Sequence, residues 1–303
     1  MKDLSLRDIN CPICGEILKP RNEESRISNS FTNCLRRCDN CNVGFSNGKD
    51  KPTLIYKNYE DNVPAELRSG LDLVLNNSLN QVNRINKKNK FSFSTSEDAL
   101  TWSFFKYFVI KNRFQDLLNL LNIESDDSYF DIYLWGINIC SININTDLYR
   151  QFIQISDSFN EEPTRRTEPD VIIKLTEKLI FIEVKYQSPN EVIADTNKFK
   201  KYYISDIDYN KVVESGHYEL FRNWAFLSKL SNGTEFKLIN LGLSKLFKDK
   251  NKEKFKLFEE SITCVRGNFS ELKWEDIISK MNENEYDSWF LEYLKLKIRE
   301  YHI

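Results

Sequence analysis

Several hallmarks of membrane and exported proteins are missing from this sequence of 303 residues. No apolar run approaches the length of a membrane-spanning helix. The first eight residues, Met-Lys-Asp-Leu-Ser-Leu-Arg-Asp, lack the apolar stretch of a signal peptide. We therefore expect a cytoplasmic protein that has no membrane partner. A Gly-rich phosphate-binding loop is also missing, so the chain is not expected to use nucleotide energy itself.

Histidine and net positive charge are scarce as well. Only two histidines occur, His217 and His302, and neither is expected to bind a metal. The formal net charge is -2, so a phosphate-bearing partner would have to be bound by local basic patches. Two stretches offer such charge: Arg84, Lys87, Lys88 and Lys90, with no acid nearby, and the pair Arg165 and Arg166. The alternative interpretation of both stretches is a solvated loop.

What is present favours a globular protein with a real core. The hydrophobic content is 41%, with 21 Phe, 14 Tyr and 5 Trp, and the charged content of 29% is that of a soluble protein. Changes in composition divide the chain into four regions. They are a cysteine-bearing unit at 1–50, a connector with helical patches at 51–93, a core domain at 94–242 and a helical C-terminal extension at 243–303.

Helix and strand signals follow one another through the core region. Ser94-Thr95-Ser96-Glu97 matches the capping-box pattern, and apolar residues recur at helical spacing from Ala99 to Leu121, which predicts one long helix. Strands are predicted at 129–135, 170–175, 179–186 and 235–241, and helices near 191–203 and at 218–230. The fold class is therefore α/β, in the order helix, three strands, helix, strand.

Five of the seven cysteines lie in the first 41 residues. Because the cytoplasm is reducing, this clustering indicates a metal site and not a disulfide framework. The knuckles Cys11-Pro-Ile-Cys14 and Cys38-Asp-Asn-Cys41 have the spacing of a tetrahedral structural site for Zn²⁺. Cys34 is a competing ligand, and an iron–sulfur cluster or simple reduced thiols are the alternatives. Metal would supply the folding energy of the unit, so its loss should unfold residues 1–50 alone.

The zinc unit also carries four arginines: Arg21, Arg26, Arg36 and Arg37. They modestly favour contact with nucleic acid, and the alternative is a surface that docks a partner protein.

Asp170 and the triplet Glu183-Val184-Lys185 form the most informative segment. Glu183 and Lys185 project from the same face of an extended strand. A hairpin loop of two residues (177–178) or four (176–179) would place Asp170 opposite Lys185 on that face, whereas a three-residue loop would place it on the other. A divalent cation such as Mg²⁺ would stabilise two carboxylates that converge in this way. The alternative is an ion pair on a solvent-facing edge strand.

Pro169-Asp170 followed by Glu183-Val184-Lys185 resembles the signature of the PD-(D/E)XK, or restriction-endonuclease-like, nuclease superfamily. The predicted element order is similar to the αβββαβ core of that superfamily. The resemblance implies an endonuclease that hydrolyses the phosphodiester bonds of DNA, with Asp170 and Glu183 as ligands of Mg²⁺ or Mn²⁺ and Lys185 at the nucleophile. It also implies a bacterial restriction or anti-phage setting, and a homodimer or a partner defence protein beside DNA. The scarcity of histidine excludes HNH-type chemistry.

Three residues and one further function are left open. The first core helix of the superfamily often contributes another acid, and Glu97 stands at that place, although a capping box explains it equally well. Arg222 and Asn223 would reach a phosphate, support the acidic cluster or face solvent. The second functional hypothesis is a non-catalytic nucleic-acid or protein-binding module that retains a zinc finger and a vestigial nuclease fold. An intact set of Asp170, Glu183 and Lys185 argues against such decay.

Overall fold

The computed structural model describes residues 8–21, 30–46, 53–127, 129–186, 188–193, 195–248, 250–281 and 285–298. The strands are β1 (Ile9–Asn10), β2 (Ile17–Leu18), β3 (Arg36–Cys38), β4 (Val43–Phe45), β5 (Leu54–Tyr56), β6 (Phe130–Leu134), β7 (Ile137–Asn138), β8 (Val171–Leu175), β9 (Lys178–Val184), β10 (Glu235–Gly242) and β11 (Gly267–Lys273). The helices are α1 (Leu71–Asn77), α2 (Asn83–Phe91), α3 (Glu97–Ile110), α4 (Phe114–Leu120), α5 (Asp147–Ser158), α6 (Thr196–Lys200), α7 (Tyr209–Ser215), α8 (Tyr218–Leu230), α9 (Lys250–Ser261), α10 (Trp274–Lys280) and α11 (Ser288–Ile298). Within these ranges, no helix has the length and apolarity needed to cross a membrane.

A mixed six-stranded sheet forms the centre of the protein, in the order β11-β10-β9-β8-β6-β7. Strands β6, β8 and β9 pair antiparallel, and β10 runs parallel to both β9 and β11. Helix α3, strands β6, β8 and β9, helix α8 and strand β10 follow one another in the predicted order, but α4, β7, α5, α6 and α7 are inserted between them. The bounds of α8 agree with the prediction for 218–230, and β10 is one residue longer than predicted.

Helices cover both faces of this sheet, which explains why its strands are apolar on both sides. Along β9, Ile180 and Ile182 pack in the layer of α3, whereas Leu179 and Phe181 pack in the layer of α8. Side chains alternate along a strand, so the next odd-numbered position, Glu183, faces α8. The polar face of the predicted triplet therefore lies on the α8 side of the sheet.

Helix α3 is buried on nearly its whole circumference, because α10 and α11 cover the side that faces away from the sheet. The ring of Tyr107 stacks on Phe290 at 3.7 Å between centroids, and Phe104 meets Trp274 edge-on at 5.1 Å. The prediction of one helix from Ala99 to Leu121 was wrong. The chain leaves the helix at Asn112, which has a φ of 52°, and α4 begins two residues later.

The prediction of a helical C-terminal extension at 243–303 was wrong in part, because this region also contains strand β11. Strand β11 pairs with β10 and widens the central sheet. Its first residue, Gly267, allows a close approach, since a Cβ atom there would lie 2.6 Å from ring atoms of both Trp224 and Phe236. Exposed and buried residues do not alternate regularly along β11, so the period-two signal of a strand is missing from the sequence.

Lys297 near the end of α11 is 6% exposed, and it ties this helix to the segment that leads into α3. Its Nζ donates to Asn62 Oδ1 at 2.6 Å and to the carbonyl oxygen of Ser94 at 2.8 Å. Burial lowers the pKa of Lys297 to about 7. Two acceptors match the two hydrogens of a neutral amine, so the site suits the uncharged form.

We expect this lysine to make the stability of the protein depend on pH. The folded-state pKa lies below the unfolded one, so the unfolded chain binds more protons between about pH 7 and about pH 10.5, and stability rises through that window. The free energy of unfolding should increase by about 2 kcal/mol from pH 7 to pH 9 through this group. Urea titrations of the wild type and Lys297→Met at several pH values test this. A difference between the two proteins that does not change with pH would contradict it.

Candidate active site and cysteine metal centre

The β8–β9 hairpin brings Asp170, Glu183 and Lys185 together. Val171 pairs with Ile182, so the next position places Asp170 opposite Glu183, and Asp170 Oδ2 accepts from the Val184 N–H at 2.9 Å. The predicted parity is confirmed. The predicted partner, Lys185, was wrong, because the turn is Thr176-Glu177 and the register moves by two residues. A shift of two residues keeps the face, whereas a shift of one would have reversed it.

Lys185 lies between two carboxylates. Its Nζ is 2.6 Å from Glu183 Oε1 on its own strand and 2.8 Å from Glu219 Oε2 on the first turn of α8. Asn223, one turn further along α8 and 1% exposed, donates to the other oxygen, Glu183 Oε2, at 2.6 Å. Of the interpretations left open for Asn223, support of the acidic cluster is the one that the structure shows.

Glu219 is the residue of this cluster that sequence reasoning did not identify. It stands four residues before Asn223, and that spacing places two side chains on one face of a helix. The spacing of four residues from Asn223 was the sequence signal that could have identified Glu219. Arg222 belongs to the same turn, with its guanidinium carbon 5.7 Å from the centroid of the Tyr218 ring.

Glu97 approaches the cluster from α3, and of the two roles left open for it the capping-box role is not the one that the structure shows. Ser96 is the N-cap, with its side chain accepting from the Ala99 N–H, so Glu97 is the first helical residue and not the third. Its Oε2 instead accepts from the Tyr186 N–H at 2.7 Å, immediately after Lys185. The carboxylate is thereby directed at the end of β9.

The cluster contains more acidic than basic side chains. Burial first, and then neighbouring carboxylates such as Asp98, raise the pKa of Glu97 to about 8, although Lys185 opposes the shift. Burial likewise raises the pKa of Asp170 to about 8 against the effect of Lys185. The pKa of Glu183 is also raised, by burial and then by Glu219. All three shifts favour the protonated carboxyl groups, with burial as the first cause.

Lys185 keeps its charge in this environment. Burial works against the ammonium, but Glu183 and then Glu219 more than offset it and raise the pKa of Lys185 well above its ordinary value. The pKa of Glu219 is lowered, because Lys185 and Arg222 together outweigh the effect of burial. Both shifts favour the ionised forms of Lys185 and Glu219.

Asp170 and Glu183 occupy opposite positions at the end of the hairpin, so their carboxylates share one face of the sheet. In the described residues, no three carboxylates bring their oxygens within 4.8 Å of one another.

The basic stretches expected to bind a phosphate backbone are mostly engaged within the protein. Lys87 is 8% exposed and is paired with Glu168, two residues before Asp170. Lys88 pairs with Asp72 at 2.6 Å, and Arg166 pairs with Asp157 at 2.8 Å. No acid lies near Lys87 and Lys88 in the sequence, but the fold brings Glu168 and Asp72 to them from distant segments.

The arginines of the zinc unit are engaged in the same way. Arg36 is fully buried, and Arg21 contacts Asp39 at 2.6 Å. Arg37 donates to the carbonyl of Thr32 at 3.0 Å. Arg26 lies outside the described residues. Structural roles therefore account for the three arginines that are described.

Cys11, Cys14, Cys38 and Cys41 form a compact group whose sulfur atoms all lie within 4.8 Å of one another. Each pair occupies the turn of a hairpin, β1–β2 or β3–β4. Gly15 and Asn42, which follow the second cysteine of each knuckle, have φ values of 77° and 54°. Glycine and asparagine tolerate this left-handed conformation best, so the local sequence fits two equivalent knuckles. Four converging thiols could hold a metal ion and are compatible with structural zinc.

Cys34 is not part of this group. Its buried thiol donates to the carbonyl of Ser30 at 3.4 Å and packs beneath Gly44. Cys140 and Cys264 also stand apart, and none of the seven cysteines, all within the described residues, forms a disulfide. His217 is 1% exposed and stacks on Phe255, at 4.2 Å between ring centroids. His302 lies outside the described residues.

We expect purified protein to contain one zinc ion per chain. Cys38→Ser should abolish zinc binding, because three thiolates no longer close the tetrahedral site. Cys34→Ser is the matched control and should retain the full zinc content. Elemental analysis of the three proteins measures this. Iron with visible absorbance in the wild type, or loss of zinc in Cys34→Ser, would contradict the assignment.

Two sites are thus defined by geometry: a carboxylate and lysine cluster at the ends of β8 and β9, and a group of four thiols in the N-terminal hairpins. No protein-family model matches the chain, and no curated protein or solved structure has significant similarity to it.

Proposed function

We propose that this protein is a metal-dependent nuclease of the PD-(D/E)XK type that hydrolyses phosphodiester bonds of DNA. The observation that carries the proposal is the convergence of Asp170, Glu183 and Lys185 at one end of the hairpin, on one face of the sheet. The element order also supports the proposal. The αβββαβ order that the PD-(D/E)XK resemblance implies is followed by α3, β6, β8, β9, α8 and β10.

Asp170 and Glu183 would hold Mg²⁺ or Mn²⁺. When bound, the metal would polarise the scissile phosphate and lower the pKa of a water molecule. The raised pKa values of Asp170 and Glu183 support this assignment, since a cation at these oxygens would favour their ionised forms.

Lys185 would stabilise the negative charge that develops on the phosphate during attack. Its ammonium group is held by Glu219 as well as by Glu183. Glu219 therefore keeps Lys185 in place when Glu183 serves as a metal ligand. Asn223 would fix the orientation of the Glu183 carboxylate through its 2.6 Å hydrogen bond. These two residues of α8 are positioning residues.

The biological setting rests on the resemblance alone. We place the nuclease in bacterial restriction or anti-phage defence, in the cytoplasm, with a homodimer or a partner defence protein as further partners. The competing hypothesis of a non-catalytic binding module requires dispersed site residues. It gains no support from a cluster in which Lys185, Glu183, Glu219 and Asn223 contact one another.

Cleavage assays on plasmid, linear and single-stranded DNA, and on RNA, test the proposal directly. Wild-type protein should cleave in the presence of Mg²⁺ or Mn²⁺ and not with EDTA. Asp170→Ala and Glu183→Ala should abolish cleavage through loss of metal ligands. Lys185→Ala should retain metal binding, measured by calorimetry, and lose on the order of a hundredfold or more in kcat.

Glu177→Ala is the matched control. It removes an exposed carboxylate from the same hairpin, at the end opposite Asp170, and should leave cleavage unchanged. Activity that persists in Glu183→Ala, after contaminating nucleases are excluded, would show that the wrong residues have been assigned. Cleavage of RNA alone would correct the substrate and leave the site in place.

Glu219→Gln tests how Lys185 is held. Without the Glu219 charge, the pKa of Lys185 should fall, so the alkaline limb of the pH–rate profile should move towards neutral pH. The dependence of the rate on Mg²⁺ concentration should stay as in the wild type. Glu214→Gln, an exposed position on α7, is the control and should shift neither property. An unchanged alkaline limb in Glu219→Gln would mean that Glu183 alone holds Lys185.

A further inference from the structure

The sheet of the cysteine module continues beyond the cysteines towards the carboxylate cluster. Strand β4, which follows the Cys38–Cys41 knuckle, pairs with β5. Strand β5 in turn pairs with the segment 92–94, through a bridge between Ile55 and Phe93. The Tyr56 N–H donates to the Ser92 carbonyl at 2.9 Å, and the Ser94 N–H donates to the Leu54 carbonyl at 2.9 Å.

This segment leads directly into the helix that carries Glu97. The Ser96 N–H donates to the Phe93 carbonyl at 2.8 Å, and the side chain of Ser96 caps α3. Glu97 follows at once and accepts from the Tyr186 N–H. A continuous series of strand pairings and hydrogen bonds therefore connects the four metal-group cysteines to the carboxylate cluster.

The module has little apolar core of its own. Its buried cluster consists of Ile9, Cys11, Leu18, Cys38, Val43, Phe45 and Leu54, and two of these are cysteines of the metal group. In such a unit, metal binding supplies much of the folding free energy. Loss of the metal should therefore release β4 and β5, and with them the partners of the Ser92 carbonyl and the Ser94 N–H.

Other contacts hold the same segment less completely. Asn62 Nδ2 donates to the carbonyls of Phe91 and Phe93 at 2.7 Å each, and Lys297 contacts the Ser94 carbonyl. These side-chain contacts engage carbonyl groups, and the Ser92 and Phe93 N–H groups donate to the carbonyls of Asn89 and Lys90 at 3.3 and 3.0 Å. The Ser94 N–H and the inner face of Phe93, which packs near Ile55 and Phe31, depend on the module.

We propose that the four-cysteine metal centre positions Glu97, through β4, β5 and the segment 92–94, and so acts as a brace for the carboxylate cluster. The proposal rests on metal binding by the four thiols and on the proposed function of the cluster. It differs from the expectation that residues 1–50 unfold alone when the metal is lost.

Hydrogen–deuterium exchange of the full chain, with zinc bound and after removal by a chelator, tests the brace. Zinc removal should speed exchange about tenfold or more in peptides covering 92–100 and 178–186, because local opening becomes easier there. Peptides covering β10 and β11 should not change. Unchanged exchange at 92–100, with full exchange in 8–46, would overturn the proposal.

Tryptophan fluorescence shows whether chelation unfolds the whole chain. If it does, the variant Phe93→Ala tests the brace with zinc still bound. Phe93→Ala removes the packing between β5 and the segment 92–94 and leaves the four cysteines of the metal group in place. It should retain one zinc per chain and still show faster exchange at 92–100 and 178–186. Wild-type protection in this variant would overturn the brace.

Activity measurements on the same samples separate this proposal from the proposed function. If the brace is correct, zinc-free protein and Phe93→Ala should both cleave more slowly with Mg²⁺ present. If the wild type cleaves no nucleic acid at all, the proposed function fails, while the exchange data still decide whether the metal centre positions Glu97.

Discussion

The pairing of β8 with β9 is the constraint on which the candidate site depends. Both strands lie inside a sheet that is covered on both faces, so each side chain has a fixed layer. A slip of one residue would turn Glu183 and Lys185 into the aliphatic layer around α3 and expose Ile182 and Val184 to the polar one. The apolar residues of the hairpin therefore fix the position of its charged ones.

Charge at the site is arranged around one buried ammonium group. Lys185 satisfies two carboxylates, and removing either partner would leave a buried charge with fewer contacts, which generally costs more than the pair itself contributes. Glu97 and Asp170 are left with raised pKa values at the same place. A cluster that served stability alone would gain from fewer acids. The divalent cation of the proposed function would account for the excess of carboxylates.

Local signals predicted much of this arrangement. Helix α8, strand β10 and the parity of the hairpin follow from local patterns, and each cysteine knuckle is a four-residue motif. Three of the misses share a cause. The pairing of Lys87 with Glu168, the contact of Glu219 with Lys185 and the addition of β11 to the sheet join residues that are distant in sequence, and no spacing along the chain encodes them.

The topology of the sheet has a consequence for the order of folding. A two-residue turn lets β8 and β9 meet by local search, whereas β10 reaches β9 only after residues 185–234, and parallel pairing requires such a crossover. The entropy of closing long loops delays contacts of this kind. We therefore expect the hairpin to form while Glu183 and Lys185 are still hydrated. Their desolvation would then wait until α8 docks with Glu219 and Asn223, so that the ammonium group is buried together with its partners.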